Sequence, residues 1–150
     1  MSDGAKYESP QERWVAAIES ANLAMMREAA RSLFAERAEF RRPTGENGQA
    51  RFFGYDEWAP WIEAIVTAFH PLRPEMLDRF DNGKGRVCQL SLIRGTHSNT
   101  FALPGIRPVP ATGLPISFEE LTISQEVDNL IAWQWAYFDL HAILKQIKAL

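Results

Sequence analysis

Four side chains in this sequence could move or hold charge beside a bound molecule. His97 follows Gly95-Thr96 at a break between strand-like segments. A neutral imidazole there could pass a proton to or from a ligand, or it could fix the loop by bonding backbone groups. Arg94 shares its strand parity with Cys88, Leu90 and Leu92. If that parity faces inward, its guanidinium would hold a carbonyl or enolate oxygen at a pocket mouth; otherwise it is a surface charge at a strand end. Asp139 stands where a strand gives way to a helix, as a carboxylate at a pocket edge or as a helix N-cap. Gln134 lies between Trp133 and Trp135, and a buried amide needs partners, either a neighbour or a ligand.

Other chemistries find less material. The three histidines, His70, His97 and His141, are scattered, so no metal site is expected. Cys88 is alone, which leaves no intrachain disulfide. His70 before Pro71 reads as a structural helix end, and His141 as a surface or interface residue.

The elements that must position these groups are legible in outline. The stretch 129–138 alternates and is rich in aromatic and β-branched residues, the mark of a strand with both faces largely covered. Its even side, Ala132, Gln134 and Ala136, is expected to face the site. Asp139 then opens a short amphipathic helix through Leu140, Ile143, Leu144 and Ile147. At the other end, Ser9, Pro10 and Glu12 form a helix start with a capping box. Helical pattern continues from Trp14 to Phe34, with Asn22 marking a break or a bend. A short strand is expected at 38–42, a loop at 44–49, and a third helix at 57–69 stopped by Pro71. A weak strand at 73–80, the turn Asp81-Asn82-Gly83-Lys84-Gly85, and a clear strand at 86–94 follow. After Gly95 to Asn99 come a short apolar piece at 100–103, a proline-rich loop at 104–115, and a strand at 116–124. Residues 1–8 read as a disordered tail, leaving one domain over 9–150.

Helices first, then mostly antiparallel strands, then a short helix give an α+β chain. Phe40, Phe53, Trp58, Trp61, Phe69 and Phe101 supply aromatic area for a core or for an apolar pocket. The chain is 46% hydrophobic and 23% charged, with net charge −3 and interspersed signs. That speaks against a nucleic-acid or anionic-membrane surface. No apolar run is long enough to span a membrane, and the polar first residues lack a secretory core. A cytoplasmic location is expected.

Taken in order, Gly95-Thr96-His97, the loop ending Pro110-Ala111-Thr112-Gly113, Trp135-Ala136-Tyr137-Phe138-Asp139 and Leu144-Lys145-Gln146-Ile147 resemble the SnoaL-like polyketide cyclases of the nuclear transport factor 2-like superfamily. That family carries a G-T-H break, a P-P-T-G loop, a W-D-x-x-D strand end and a Q-L-G tail. The resemblance implies a cone-shaped α+β barrel, a curved antiparallel sheet wrapped around N-terminal helices with an apolar pocket at one end. It implies a homodimer through the sheet, no cofactor, and cyclisation or isomerisation of a hydrophobic polyketide- or terpenoid-like small molecule of secondary metabolism. The family's catalytic aspartate position is Ala136 here, and a supporting histidine of some members falls near Thr122. The expected site is therefore His97, Arg94 and Asp139 as catalytic groups. Gln134, Ala136, Trp58, Phe40, Phe53, Phe69, Leu90, Leu92 and Phe101 are expected to bind substrate. With Ala136 in place of the acid–base group, a ring closure that needs little proton transfer, such as a cycloaddition, fits the pattern. A non-catalytic carrier of the same fold is the rival reading.

Overall fold

Ser9 caps the first helix as its sequence predicts: its Oγ accepts from the Glu12 N–H at 3.3 Å, and Glu12 Oε2 accepts from the Ser9 N–H at 2.8 Å. This computed structural model describes residues 9–44 and 48–150. The expected tail at 1–8 lies outside the described residues, as does the middle of the expected loop at 44–49. Helix α1 spans Pro10–Glu19 and α2 spans Leu23–Leu33. Asn22 makes the expected break by capping α2, its Oδ1 accepting from the Met25 N–H at 3.1 Å.

Strand β1, Phe34–Thr44, follows α2 without a linker, four residues earlier than the sequence pattern suggests. Strand β2, Gly48–Phe53, has no clear alternation. It is a strand because β1 supplies its hydrogen-bond partners, with Phe40 opposite Phe52. Helix α3, Tyr55–Ala68, comes next, then β3, Arg73–Asp81, and β4, Arg86–Thr96. The proline-rich loop forms one isolated bridge, Phe101 with Val109. Strands β5, Pro115–Val127, and β6, Leu130–Tyr137, form a hairpin, and α4, Leu140–Gln146, ends the fold. The hairpin turns on Asp128 and Asn129, both at positive φ (51° and 62°), the geometry that matches strand twist.

The six strands run in the order β2-β1-β6-β5-β4-β3. Every pairing is antiparallel except that of β1 with β6, which is parallel. The result is the expected α+β architecture: a curved sheet, mixed and unclosed, packed on its helices. The core between them includes Trp14, Met26, Leu33, Phe34, Phe40, Trp58, Phe69 and Phe101. No helix among the described residues is long and apolar enough to cross a membrane.

Gly95 shows how tightly β4 runs past α3. A Cβ there would sit 2.6 Å from the Phe69 carbonyl oxygen, so only glycine lets the strand pass.

Candidate active site

The concave side of the sheet is polar at its centre. On β4 the buried side chains are Val87, Gln89, Ser91 and Ile93. On β5 the inward positions run Ile116, Phe118, Glu120, Thr122 and Ser124, and on β6 they include Gln134 and Ala136. Register lines these up across strands: Gln89 faces Thr122, Thr122 faces Ala136, and Ser91 faces Glu120. Arg42 is the next residue along β1 from Arg41, which faces Trp135. This places Arg42 beside Ala136 at the edge of the same row.

These groups line a cavity of about 50 Å³. Arg42, Gln89, Ser91, Glu120, Thr122 and Gln134 border it from the sheet. Gln11, Trp14, Val15 and Ile18 of α1 and Ile62 and Ile65 of α3 cover it. Phe118 and Phe138 complete a largely apolar wall.

Arg42 is 5% exposed. Its Nη2 donates to Gln134 Oε1 at 3.2 Å and its Nη1 to the Arg41 carbonyl at 3.4 Å. Its guanidinium lies 4.6 Å from the centre of the Trp58 ring, a cation–π contact. Gln134 in turn donates to Gln11 Oε1 at 2.6 Å, which ties the guanidinium through two amides to α1. Burial pushes the Arg42 pKa down, and the charge of Glu120 opposes that shift.

Glu120 is the second charged group of the cavity. It is half-buried on the inner side of β5 and lines the cavity. Burial pushes its pKa up, opposed by the charge of Arg42. The two are not in ion-pairing contact. Glu120 is thus a carboxyl that holds its proton to higher pH than a surface glutamate, on the same small chamber as a guanidinium. A proton donor or acceptor beside an oxyanion holder is the arrangement that acid–base chemistry at a carbonyl requires.

The expected site residues divide sharply. Gln134 lines the cavity as expected, and Ala136 is fully buried on the same face without bordering it. Ala132, on the same parity, is half-buried. Trp58 and Phe40 stack face to face, centroids 4.1 Å apart, and act on the cavity only by supporting Arg42. Phe69 and Phe101 pack on each other, 4.9 Å apart, in the core away from it.

Leu90, Leu92 and Arg94 require correction: the inward phase of β4 is the opposite one. The leucines lie half-buried on the outer face. Arg94 is exposed there, with its Nη1 2.9 Å from Glu75 Oε2. Phe53 also points outward, 41% exposed.

His97 is fully buried, and its bonds go to the loop. Its Nδ1 accepts from the Thr112 N–H at 3.3 Å and lies 2.9 Å from Thr112 Oγ1. The His97 backbone N–H donates to the Leu114 carbonyl at 2.8 Å. It joins the G-T-H break to the proline-rich loop, and burial lowers its pKa, favouring the neutral ring. Asp139 Oδ1 accepts from the Ala142 N–H at 2.9 Å and caps α4. Neither borders the cavity.

Arg42 and Glu120 escaped the sequence reading. A signal for Glu120 was present: it falls in phase with Ile116, Phe118 and Thr122, the inward side of its strand. Among the described residues, no three or more His, Cys, Asp or Glu side chains converge as a metal site would need.

No family model matches the chain, and no curated protein matches its sequence. Solved structures do match over nearly the full length. A candidate SnoaL-like polyketide cyclase from Jannaschia sp. CCS1 superposes with a TM-score of 0.74 at 16% identity, covering 94% of this chain and 90% of that one. AclR, a candidate hydroxylase from Streptomyces galilaeus, gives 0.71 at 17% identity, covering 94% of each chain. IdmH, a candidate polyketide cyclase from Streptomyces antibioticus, gives 0.68 at 21% identity over 94% of this chain and 99% of its own. The chain therefore has the SnoaL-like fold. Neighbours named for different reactions share that fold, so function must be argued from the cavity.

Proposed function

We propose that the protein is a cofactor-independent cyclase or isomerase acting on a hydrophobic, carbonyl-bearing small molecule of the polyketide or terpenoid type. The observation that carries this reading is the placement of Glu120 and Arg42, the two charged groups of the lining, on one small chamber between a polar sheet face and apolar helices. A substrate carbonyl oxygen would rest on Arg42. The Glu120 carboxylate would take a proton from the adjacent carbon, and Arg42 would stabilise the enolate oxygen as charge develops. Glu120 would then return that proton to another carbon, giving an isomer. Alternatively the enolate carbon would attack a second carbonyl and Glu120 would protonate the new alkoxide, closing a ring. Either route conserves mass. In this reading the acid–base group sits on β5, two residues from Thr122, rather than at Ala136 on the last strand.

The cavity is about a third of the ~150 Å³ that admits benzene in an engineered protein core. A substrate with a ring or an extended chain would need α1 to yield, and the contacts holding α1 over the chamber include the Gln11–Gln134 bond. We also propose a homodimer through the outer sheet face, where Leu121 and Tyr137 are 36% and 39% exposed beside half-buried Trp133 and Trp135.

The test is incubation with linear 1,5-diketones and with β,γ-unsaturated ketones in deuterated water, followed by mass and chiral analysis. The expected product is an isomer of one stereochemistry, with solvent deuterium on carbon only to the extent that Glu120 exchanges its proton before returning it, and its formation is lost in Glu120→Gln. An undiminished rate in that variant would instead indicate ring closure by substrate shaping. Unchanged, bound ligand would indicate a carrier.

A further inference from the structure

Arg42 is a buried cation whose described acceptors are all neutral. Gln134 Oε1 at 3.2 Å and the Arg41 carbonyl at 3.4 Å are long bonds, and the remaining support is the face of Trp58. A guanidinium carries five N–H donors in a planar fork suited to two oxygens at once. No described carboxylate forms an ion pair with it. Burying such a charge is costly unless something neutralises it.

The other polar groups of the chamber are also disposed to donate. Ser91 Oγ already accepts from Gln89 Nε2 at 3.2 Å, which leaves its hydroxyl hydrogen free to turn elsewhere. Thr122 stands beside it on the neighbouring strand, across from Gln89. Glu120, when protonated, adds another O–H. The chamber thus offers donors beside a guanidinium that no described carboxylate pairs with, while its walls of Phe118, Phe138 and Ile65 suit a hydrocarbon body.

We infer that the ligand is a compact hydrophobic monoanion whose charge is shared by two coplanar oxygens, seated on Arg42 with its carbon skeleton toward α1 and α3. A carboxylate and the enolate of a 1,3-dicarbonyl present this same chemistry. The inference rests on the reading of the cavity as the active site, and it narrows the substrate from any carbonyl compound to an acidic one.

The test compares each anion with a neutral partner of the same shape. Carboxylates from acetate to cyclohexanecarboxylate are paired with their primary amides, and 1,3-cyclohexanedione, ionised at neutral pH, with its O-methyl enol ether. Binding is read by tryptophan fluorescence, since Trp14 lines the cavity, and by the shift in Tm. The expected result is a preference of about tenfold or more for the anion in at least one series, as hydrogen bonds to charge allow. Which series shows it identifies the source, carboxylate or enolate. Arg42→Gln should erase the preference, and Glu120→Gln should retain it.

Equal binding of anion and neutral partner throughout both series overturns the inference, and this comparison needs no variant. A preference that persists in Arg42→Gln also overturns it. The two claims fail separately. Loss of turnover in Glu120→Gln without any anion preference would leave the catalytic reading standing and remove this one. Anion preference with turnover indifferent to Glu120 would do the reverse.

Discussion

On the inner face of β4, β5 and β6 stand Gln89, Ser91, Glu120, Thr122, Ser124 and Gln134; on the outer face of the same strands stand Leu90, Leu92, Leu121, Ile123, Trp133 and Trp135. In an ordinary one-sided sheet polar groups face outward; here they share the inner face with Val87, Ile93, Ile116 and Phe118. Here the inner polar row, Ser124 excepted, lines a chamber, where hydrogen-bonding groups meet one another or a ligand. The outer apolar row includes stacked Trp133 and Trp135, with Arg41 4.0 Å from the centre of the Trp135 ring and Arg86 5.1 Å from that of Trp133. One face carries the polar groups on which the proposed chemistry rests. The other carries the apolar area on which the proposed homodimer rests.

The strongest way to break this contrast is Glu120→Gln. Removing a proton-transfer group on the inner face should lower turnover by about 10²–10⁴-fold. The same change should stabilise the fold. Because burial raises the Glu120 pKa in the folded state, the native chain holds that proton more tightly than the unfolded chain. Stability attributable to the group is full below the ordinary glutamate pKa and falls as pH rises toward the folded value. The Tm gain of the glutamine variant should therefore be negligible in acid and grow as pH rises through that window, at about 2–4 °C per kcal/mol for a chain of this size. Melting curves across pH check this, and a falling Tm at neutral pH would contradict it.

Ala136→Asp sharpens the inner face next. Register puts position 136 beside Arg42, so an aspartate there should pair with the guanidinium and quench its charge. The anion preference measured on the ligand series should fall about tenfold or more, and a preference left intact would place Arg42's charge out of reach of position 136.

On the outer face, Leu121→Glu should shift association toward monomer while leaving the isolated fold and its ligand binding intact. Sedimentation equilibrium across concentration reads the first and the ligand series reads the second. Replacing the groups that chemistry first singled out should matter least. Asp139→Ala should cost about 1 kcal/mol through the lost α4 cap, and Arg94→Ala less than about 0.5 kcal/mol as an exposed pair. Denaturant melts measure both, with turnover unchanged.

Much of the architecture was readable because it depends on neighbours in the chain. The Ser9 capping box, the Asn22 break, the Asp81–Gly85 turn, the Asp139 cap and the alternation of β4, β5 and β6 are local patterns, and all appear in the structure. Strand β2 was not readable: its residues lack alternation, and β1 makes it a strand. The phase of β4 was misread because both of its sides carry apolar residues. Leu90 and Leu92 outweigh Val87 and Ile93 only on the assumption that the apolar side faces in. Gln134 was legible from its position between two tryptophans. Glu120 carried a faint signal in its phase with Ile116, Phe118 and Thr122, but Arg42 reads as one more surface charge until β1 is known to lie beside β6.

Local sequence set the caps of α1, α2 and α4, the strands β4 to β6 and the α+β class, because caps, turns and periodicity act within a few residues. Only the tertiary structure decided which face of each strand looks inward, and that Arg42 and Glu120, 78 positions apart by their numbering, share one chamber. That outcome follows from the parallel pairing of the first strand with the last and from the burial that raises one group's pKa and lowers the other's. Both are long-range effects of packing, and no local pattern encodes them.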